Sequence, residues 1–449
     1  MIRVPSKRKA CEGSQRHNRA MPLFSEMPND SAQHVAIAGG GIAGMAAGLA
    51  LARAGWQPTV FEQASAFAEV GAGVQLGPNV TRILREWRLL DALLPSAYQP
   101  RYLNARRATT GEVLARMDLH ALAQRYGAPY VSVHRADLHR VLMDAALAQG
   151  VRVEAGATVL AMTDGGEPDQ GAHASPNVNV VWTEALSTPA PQTAHASWGI
   201  VADGVWSRLR QTLLSDAPPT WTGHIAYRAL MPMSSLPTAL RQAVRTDEVS
   251  VWMGPDMHVV CYPVSGGERL NVVCLVEAGL PEGVTNAQDW SLQKTQTQTR
   301  NDLNQALRGS GSVLRSLVDA CEGWRLWPLY GRAPMQGAHQ HAQGRMALVG
   351  DAAHPMLPYL AQGAGMAIED AQALAQYVPA SAHAEVPSRL QAFAQERWIR
   401  NARVQSRAMR NGEVFHARGL QRVGRDLGLK VLGERLMDMP WLYEKLIEK

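Results

Sequence analysis

Cysteine is scarce. The 449-residue chain carries Cys11, Cys261, Cys274 and Cys321, at spacings that fit neither a zinc site nor a disulfide framework. Such usage suits a reducing cytoplasm, where thiols stay reduced. Charged residues make up 18% of the chain, yet no apolar run approaches the roughly 20 residues that a membrane-spanning helix needs. A basic stripe on the folded body, the footprint of a nucleic-acid binder, is missing as well. The net charge of +5 is carried by residues 1–20, where Arg3, Lys7, Arg8, Lys9, Arg16 and Arg19 stand against Glu12 alone, so the remainder is balanced. Residues 1–33 have no hydrophobic periodicity and no apolar core of a secretory signal, and they are expected to form a disordered basic tail. Met21 and Met27 leave open a start of translation downstream of Met1. Internal repeats and low-complexity tracts are absent.

What remains is long enough for two domains, or for one large α/β domain with an inserted lobe. The run Val35-Ala36-Ile37-Ala38 reads as a buried strand, followed by glycines and the Ala/Leu-rich helix Met45 to Ala54. Thr59-Val60-Phe61 then supplies a second strand, giving a βαβ unit and a parallel sheet. From Val151 to Ile200 the strand-like runs Val151-Arg152-Val153 and Val178-Asn179-Val180-Val181 suggest a meander with a long exposed loop near 164–176. Alternating patterns at Val259-Val260-Cys261-Tyr262 and Asn271-Val272-Val273-Cys274-Leu275 suggest a second sheet. After Met346 the pattern returns to strand and helix, and residues 388–449 read as long amphipathic helices.

Three glycine signals carry chemistry. Gly39-Gly40-Gly41-Ile42-Ala43-Gly44 lies between the first strand and helix, where glycines let a dinucleotide pyrophosphate approach free helix amides. Glu62 closes the second strand, as an acceptor for ribose hydroxyls requires. This motif alone leaves FAD and NAD open. Ile200-Val201-Ala202-Asp203-Gly204 is a second strand ending in a turn. Met346-Ala347-Leu348-Val349-Gly350-Asp351-Ala352-Ala353-His354-Pro355 is a third, with a small-residue helix opening at Gly363-Ala364-Gly365.

Together these segments resemble the group A flavoprotein monooxygenases, single-component aromatic hydroxylases related to p-hydroxybenzoate hydroxylase, over nearly all of residues 34–449. The stretches Gly71-Ala72-Gly73-Val74-Gln75-Leu76-Gly77-Pro78-Asn79 and His134-Arg135-Ala136-Asp137-Leu138 are similar to the salicylate hydroxylase and 3-hydroxybenzoate 6-hydroxylase branch, as are Tyr227-Arg228, Tyr262-Pro263 and Trp441-Leu442-Tyr443. The resemblance implies an α/β fold: a Rossmann-like FAD-binding domain (34–105, 131–215 and 340–400), an inserted β-sheet substrate domain (106–130 and 216–339) and a C-terminal helical segment (401–449). It implies FAD held by Gly39, Gly41, Ile42, Ala43, Gly44, Glu62, Gln75, Arg135, Asp203, Asp351, Gly363, Ala364 and Gly365. It further implies NADH or NADPH as co-substrate, dioxygen, a flavin 4a-hydroperoxide, and transfer of oxygen to a small aromatic acid or phenol. A homodimer is compatible with it. An FAD-dependent reductase or dehydrogenase that inserts no oxygen, and a 6-hydroxynicotinate-type heteroaromatic hydroxylase, stay open as alternatives.

The substrate side is expected at Tyr227, with His224 as runner-up for taking the proton of a phenol. Period two puts His224, Ala226 and Arg228 on one face of a regular strand and Tyr227 on the other. Tyr262, Tyr359 and Gln362 are expected to close the pocket, and Pro355 to lie beside the reactive flavin edge. His354 reads as a structural histidine. His339-Gln340-His341 has a metal-like spacing but no patterned third ligand, so it reads as a polar loop and no metal is expected. Arg397, Arg400, Arg403 and Arg407 read as a solvated or salt-bridged helix face.

Overall fold

The computed structural model describes residues 33–67, 72–165, 178–184, 190–280 and 295–444. The basic tail, apart from its last residue, and most of the expected 164–176 loop lie outside them. The strand His34–Ala38 is buried on both faces and pairs in parallel with Trp198–Val201 on one side and Gln57–Glu62 on the other. Met346–Leu348 and Arg152–Ala155 extend this sheet in parallel, and Ala342–Gln343 adds an antiparallel edge. Continuous Val/Ile/Ala runs are what a parallel strand covered on both faces requires.

Strand adjacency explains why three motifs far apart in sequence can serve one site. Ala38 is opposite Val201, and Val201 is opposite Leu348, so their carboxyl ends are level. The segments that follow, from Gly39, Ala202 and Val349, therefore emerge side by side at one edge, where open α/β sheets bind ligands.

The second sheet has seven strands, in the order Arg325–Gly331, Thr220–Pro232, Arg269–Glu277, Met257–Val264, Val249–Gly254, Tyr102–Arg107 and Val113–Asp118. Tyr102–Arg107 belongs to this sheet through its parallel pairing with Val249–Gly254, so a single strand of it runs across the domain boundary expected at 105/106. The expected meander is also split. Arg152–Ala155 joins the parallel sheet, whereas Ala157–Asp164, Val178–Glu184 and Gln192–Ala196 form a separate antiparallel sheet. Propensity reads both kinds of strand alike, and the partner decides. Cys261, Cys274 and Cys321 are buried and unbridged. No helix among the described residues is long and apolar enough to cross a membrane.

The helix Gly363–Tyr377 is tied to the long helix Val386–Phe415 by buried charge. Arg397 is fully enclosed, and its Nε donates to Asp370 at 2.9 Å while its Nη1 donates to Glu369 at 3.1 Å. Arg400 grips Glu369 with two bonds, at 2.6 and 2.8 Å. Asn79 donates to the same carboxylate at 2.8 Å, and Asn401 bridges Asp370 to His341. Burial disfavours ionised Asp370, but His354 and Arg397 outweigh it and hold its pKa well below the carboxylate range. The salt-bridged alternative for the arginine face thus holds for Arg397 and Arg400, while Arg403 stacks over Trp441 at 4.1 Å. His341 is no part of a polar loop: it is fully buried, and burial pushes its pKa down to about 4.

Two outcomes follow. Arg397→Leu leaves two buried carboxylates undercompensated and should cost about 3–5 kcal/mol in chemical denaturation, against about 0–1 kcal/mol for an exposed pair. The second concerns acid. His341, and the buried His416 whose pKa burial lowers to about 3, are neutral when folded. The unfolded chain, with histidine near 6.5, binds protons that the folded chain refuses. Stability should therefore be flat in these groups above about pH 6.5 and fall below it by up to about 1.4 kcal/mol per pH unit per histidine. Melting curves at pH 7.5 and 5 check this.

Candidate active site

At the carboxyl edge of the parallel sheet lies a cavity of about 320 Å³, which runs from the glycine-rich turn to the inner face of the seven-stranded sheet. Its walls at the first end are Gly41, Ile42, Ala43, Gln75 and Arg135. Ala202 and Gly204 come from the second motif, Asp351 from the third, and Gly363 and Ala364 from the helix start. The other end is Arg228, Val260, Tyr262, Val273 and Leu275, capped by Met356, Leu357, Pro358 and Gln362.

The glycines have separate jobs. Gly39 has a φ of +106°, and a Cβ there would sit 2.4 Å from the Ala202 carbonyl oxygen. At Gly44 a Cβ would come within 1.8 Å of the Gly39 carbonyl oxygen, so this residue lets the helix approach the strand. Only Gly41 has open space where its side chain would be, and it precedes the helix Ile42–Arg53, whose N-terminus has no side-chain cap. Uncapped amides and a positive helix end facing a cavity suit a pyrophosphate. Glu62 accepts from the amides of Gly40 at 2.7 Å and Ala64 at 2.8 Å, which pins the turn and leaves lone pairs for ribose hydroxyls. Asp203 turns its carboxylate to Ser207 and the amides of Arg208 and Leu209, so it orders the second motif without lining the cavity.

Asp351 opens to the cavity but is otherwise ringed by protein, and burial raises its pKa against the opposing charges of His354 and Arg135. An acceptor poised in this way fits the hydroxyls of a ribityl chain. Gly363 and Ala364 face the cavity, whereas Gly365 packs inward, where a Cβ would meet Val80 at 2.9 Å. Gln75 accepts from Tyr130 at 2.6 Å and Gln362 from Asn79 at 3.1 Å, and both amides are fixed in the wall. Among the described residues, Arg228 Nε in the cavity wall is buried without a partner, as are Asn271 Nδ2, His354 Nδ1 and the Tyr359 hydroxyl beyond the wall. Orphans of this kind are costly unless a ligand satisfies them. The residues present therefore fit a bound dinucleotide such as FAD.

The substrate-side expectations divide. Tyr227 faces away from the cavity, into the core with Leu303 and Leu314, and its hydroxyl donates to Asp302 at 2.9 Å. Arg228, the next residue, takes the cavity face with Ala226 and His224. Pro355 is displaced by three residues: Met356, Leu357 and Pro358 form the wall, while the Pro355 carbonyl accepts from Gln405. Tyr262 does line the cavity, but its hydroxyl is spent on the Gly73 carbonyl at 2.6 Å, and burial pushes its pKa up to about 12. Tyr359 stands just outside the wall, edge-on to His258 and His224. His224 Nδ1 contacts the Thr222 carbonyl at 2.9 Å, which assigns a proton to Nδ1, and its Nε2 stands 3.9 Å from Glu277 Oε1, outside the cavity lining.

Arg228 was legible as facing with His224, but its role was not. Its guanidinium lies over the Trp327 ring at 4.9 Å, and burial lowers its pKa with Arg135 adding to the effect. The Tyr227 hydroxyl contributes one hydrogen bond on the far side of the sheet, so Tyr227→Phe should cost about 0.5–1.5 kcal/mol of stability and leave turnover unchanged. Parallel denaturation and activity assays check both halves.

The chain matches the family model described as an FAD binding domain over residues 32–408. It is 36% identical over 414 residues to the 3-amino-4-hydroxybenzoate 2-monooxygenase of Streptomyces platensis, covering 91% of this chain and 95% of that one. It is 33% identical over 417 residues to the 3-hydroxybenzoate 6-hydroxylase of Polaromonas naphthalenivorans, with the same coverage. Among solved structures, a salicylate hydroxylase substrate complex superposes with a TM-score of 0.73 at 25% identity, over 92% of this chain and 96% of the other. With the cavity fitting FAD, the chain belongs to the FAD-binding domain family and, within it, to the FAD-dependent monooxygenases.

Proposed function

We propose that this protein hydroxylates a small aromatic acid that also bears a ring hydroxyl, using NADH or NADPH and dioxygen. The observation that carries the acid is Arg228, a cavity-lining cation whose Nε has no partner and whose charge burial opposes. A substrate carboxylate would supply the missing acceptors and counter-charge. The relatives' names give rings with carboxyl and hydroxyl groups, the same pair of handles.

Bound FAD supplies the oxygen chemistry. The chain's own work is to place and enclose the ring. Val273, Leu275 and Val260 form an apolar floor, and Leu357 with Pro358 closes the opposite side, so water is excluded from the reacting face. His224 stands further along the same sheet face, its Nε2 3.9 Å from Glu277 Oε1, and is the group assigned to take the ring hydroxyl's proton. The orphan hydroxyl of Tyr359 lies between that histidine and the cavity cap. Electron release from the resulting phenolate activates the ring. A cytoplasmic setting, with its supply of reduced nicotinamide, belongs to the same reading.

We also infer a homodimer. The helix Gly419–Leu432 is held to the body through Asp426 to Arg107 and through Arg425 to the carbonyls of Val414 and Phe415, while Leu420 is 90% exposed and Val423, Leu427 and Val431 are 57, 61 and 72% exposed. The stripe offers on the order of 500 Å² of apolar surface, approaching the roughly 800 Å² per partner of a stable interface. Of the helix's own cations, Arg425 and Lys430 are paired with Asp426 and Glu112. A second copy meeting the stripe about a twofold axis is self-complementary.

Screening hydroxylated benzoates should find substrate-stimulated NAD(P)H oxidation, oxygen uptake and a product heavier by one oxygen atom; oxidation without such a product would favour the reductase. Arg228→Met should weaken carboxylate substrates by about 10- to 100-fold, the loss of a charge-assisted pair, and barely affect neutral phenols. In His224→Ala the reduced cofactor should be diverted to hydrogen peroxide, measured as the ratio of peroxide to product. Leu427→Glu should convert a dimer to a monomer in sedimentation velocity.

A further inference from the structure

Further along the same sheet face, a second cavity of about 240 Å³ adjoins the first, sharing Ala72 and Arg228 with it. Its wall brings Arg228 together with Arg269 and Arg325, alongside Asn271 and Trp327. Arg228 and Arg325 are direct partners across neighbouring strands. Two like charges at that position repel, and a sheet keeps them at a cost unless a counter-ion lies between. Among the described residues no carboxylate pairs with any of the three guanidinium groups, and the Asn271 Nδ2 is buried without a partner. Arg269 and Arg325 are exposed and Arg228 lies deeper, so positive charge runs from the rim inward. Such a gradient draws anions toward the inner end.

We propose that this second cavity is an anion subsite that holds the diphosphate of the nicotinamide dinucleotide. The inference rests on the monooxygenase reading, because the only anionic co-substrate that reading brings to the FAD cavity is NADH or NADPH. A diphosphate between Arg269 and Arg325 leaves the nicotinamide end free to pass Arg228 and Ala72 into the first cavity, where the hydride acceptor is held. The chain has no second glycine-rich strand-turn-helix motif for a dinucleotide. Side-chain cations therefore do here what helix amides do for FAD. An aromatic carboxylate has the same anionic chemistry, and the test separates the two sources.

The experiment uses the FAD-loaded full chain carrying Arg269→Gln and Arg325→Gln together, exposed positions whose replacement leaves the core intact. Anaerobic reduction at rising NADH or NADPH should give a Kd raised at least tenfold, with an unchanged limiting rate, FAD content and Kd for the aromatic acid. Inorganic pyrophosphate should compete with the dinucleotide in the wild type and lose that competition in the double variant. Lysine at both positions should recover part of the affinity. An unchanged dinucleotide Kd, or a rise confined to the aromatic acid, overturns the assignment while the monooxygenase reading stands. Failure of the wild type to be reduced by either dinucleotide overturns the monooxygenase reading, and the subsite with it.

Discussion

Two adjacent carboxylates, Glu369 and Asp370, hold this molecule's working parts in register. Both are buried, and neither is tolerable there without the guanidinium groups of Arg397 and Arg400. Through them the helix whose first turn faces the cavity is locked to the long C-terminal helix. Asp370 also receives His354 and the Gly350 amide from the third glycine motif, and Glu369 receives Asn79 from the helix that follows Gln75. Arg400 reaches on to the carbonyls of Trp441 and Leu442. One ionic knot therefore fixes the positions of Asp351, Gly363, Ala364 and Gln362 relative to each other, and a shift in it moves a whole wall of the site.

The charge within the cavity is arranged differently. Asp351 is the one carboxylate among its lining residues, and it stands against Arg135 and Arg228 with unpaired polar atoms around them. An interior with spare donors and spare positive charge is unfavourable when it holds only water, and favourable once phosphates and a carboxylate are in place. The same logic extends to Arg269 and Arg325 outside it.

Polar side chains in the wall are mostly spoken for. Tyr262, Gln75 and Gln362 each spend a hydrogen bond on another part of the protein. They shape the cavity, and the charged lining groups not so occupied are fewer: Arg228, Arg135 and Asp351. Rigid walls with few free groups position a ring with little entropy loss on binding.

The sequence by itself determined the FAD half. A strand, a glycine turn and a helix in direct succession dictate local geometry, and the nearby strand ending in Glu62 completes a unit whose contacts are short-range. It also determined that His224 and Arg228 share a face, since period two is a backbone property. Which face that was, it left undecided: Tyr227 and Arg228 are both amphipathic, and the core of Leu303 and Leu314 that claims Tyr227 comes from helices more than 70 residues away. For Pro355 against Pro358, the turn after Asp351 is set by tertiary contacts with Gln405. The arginines of the long helix read alike in sequence, and only packing buried Arg397 on two carboxylates while leaving Arg403 over a tryptophan. Burial is a property of what comes to lie opposite a residue, and that is decided when distant segments meet.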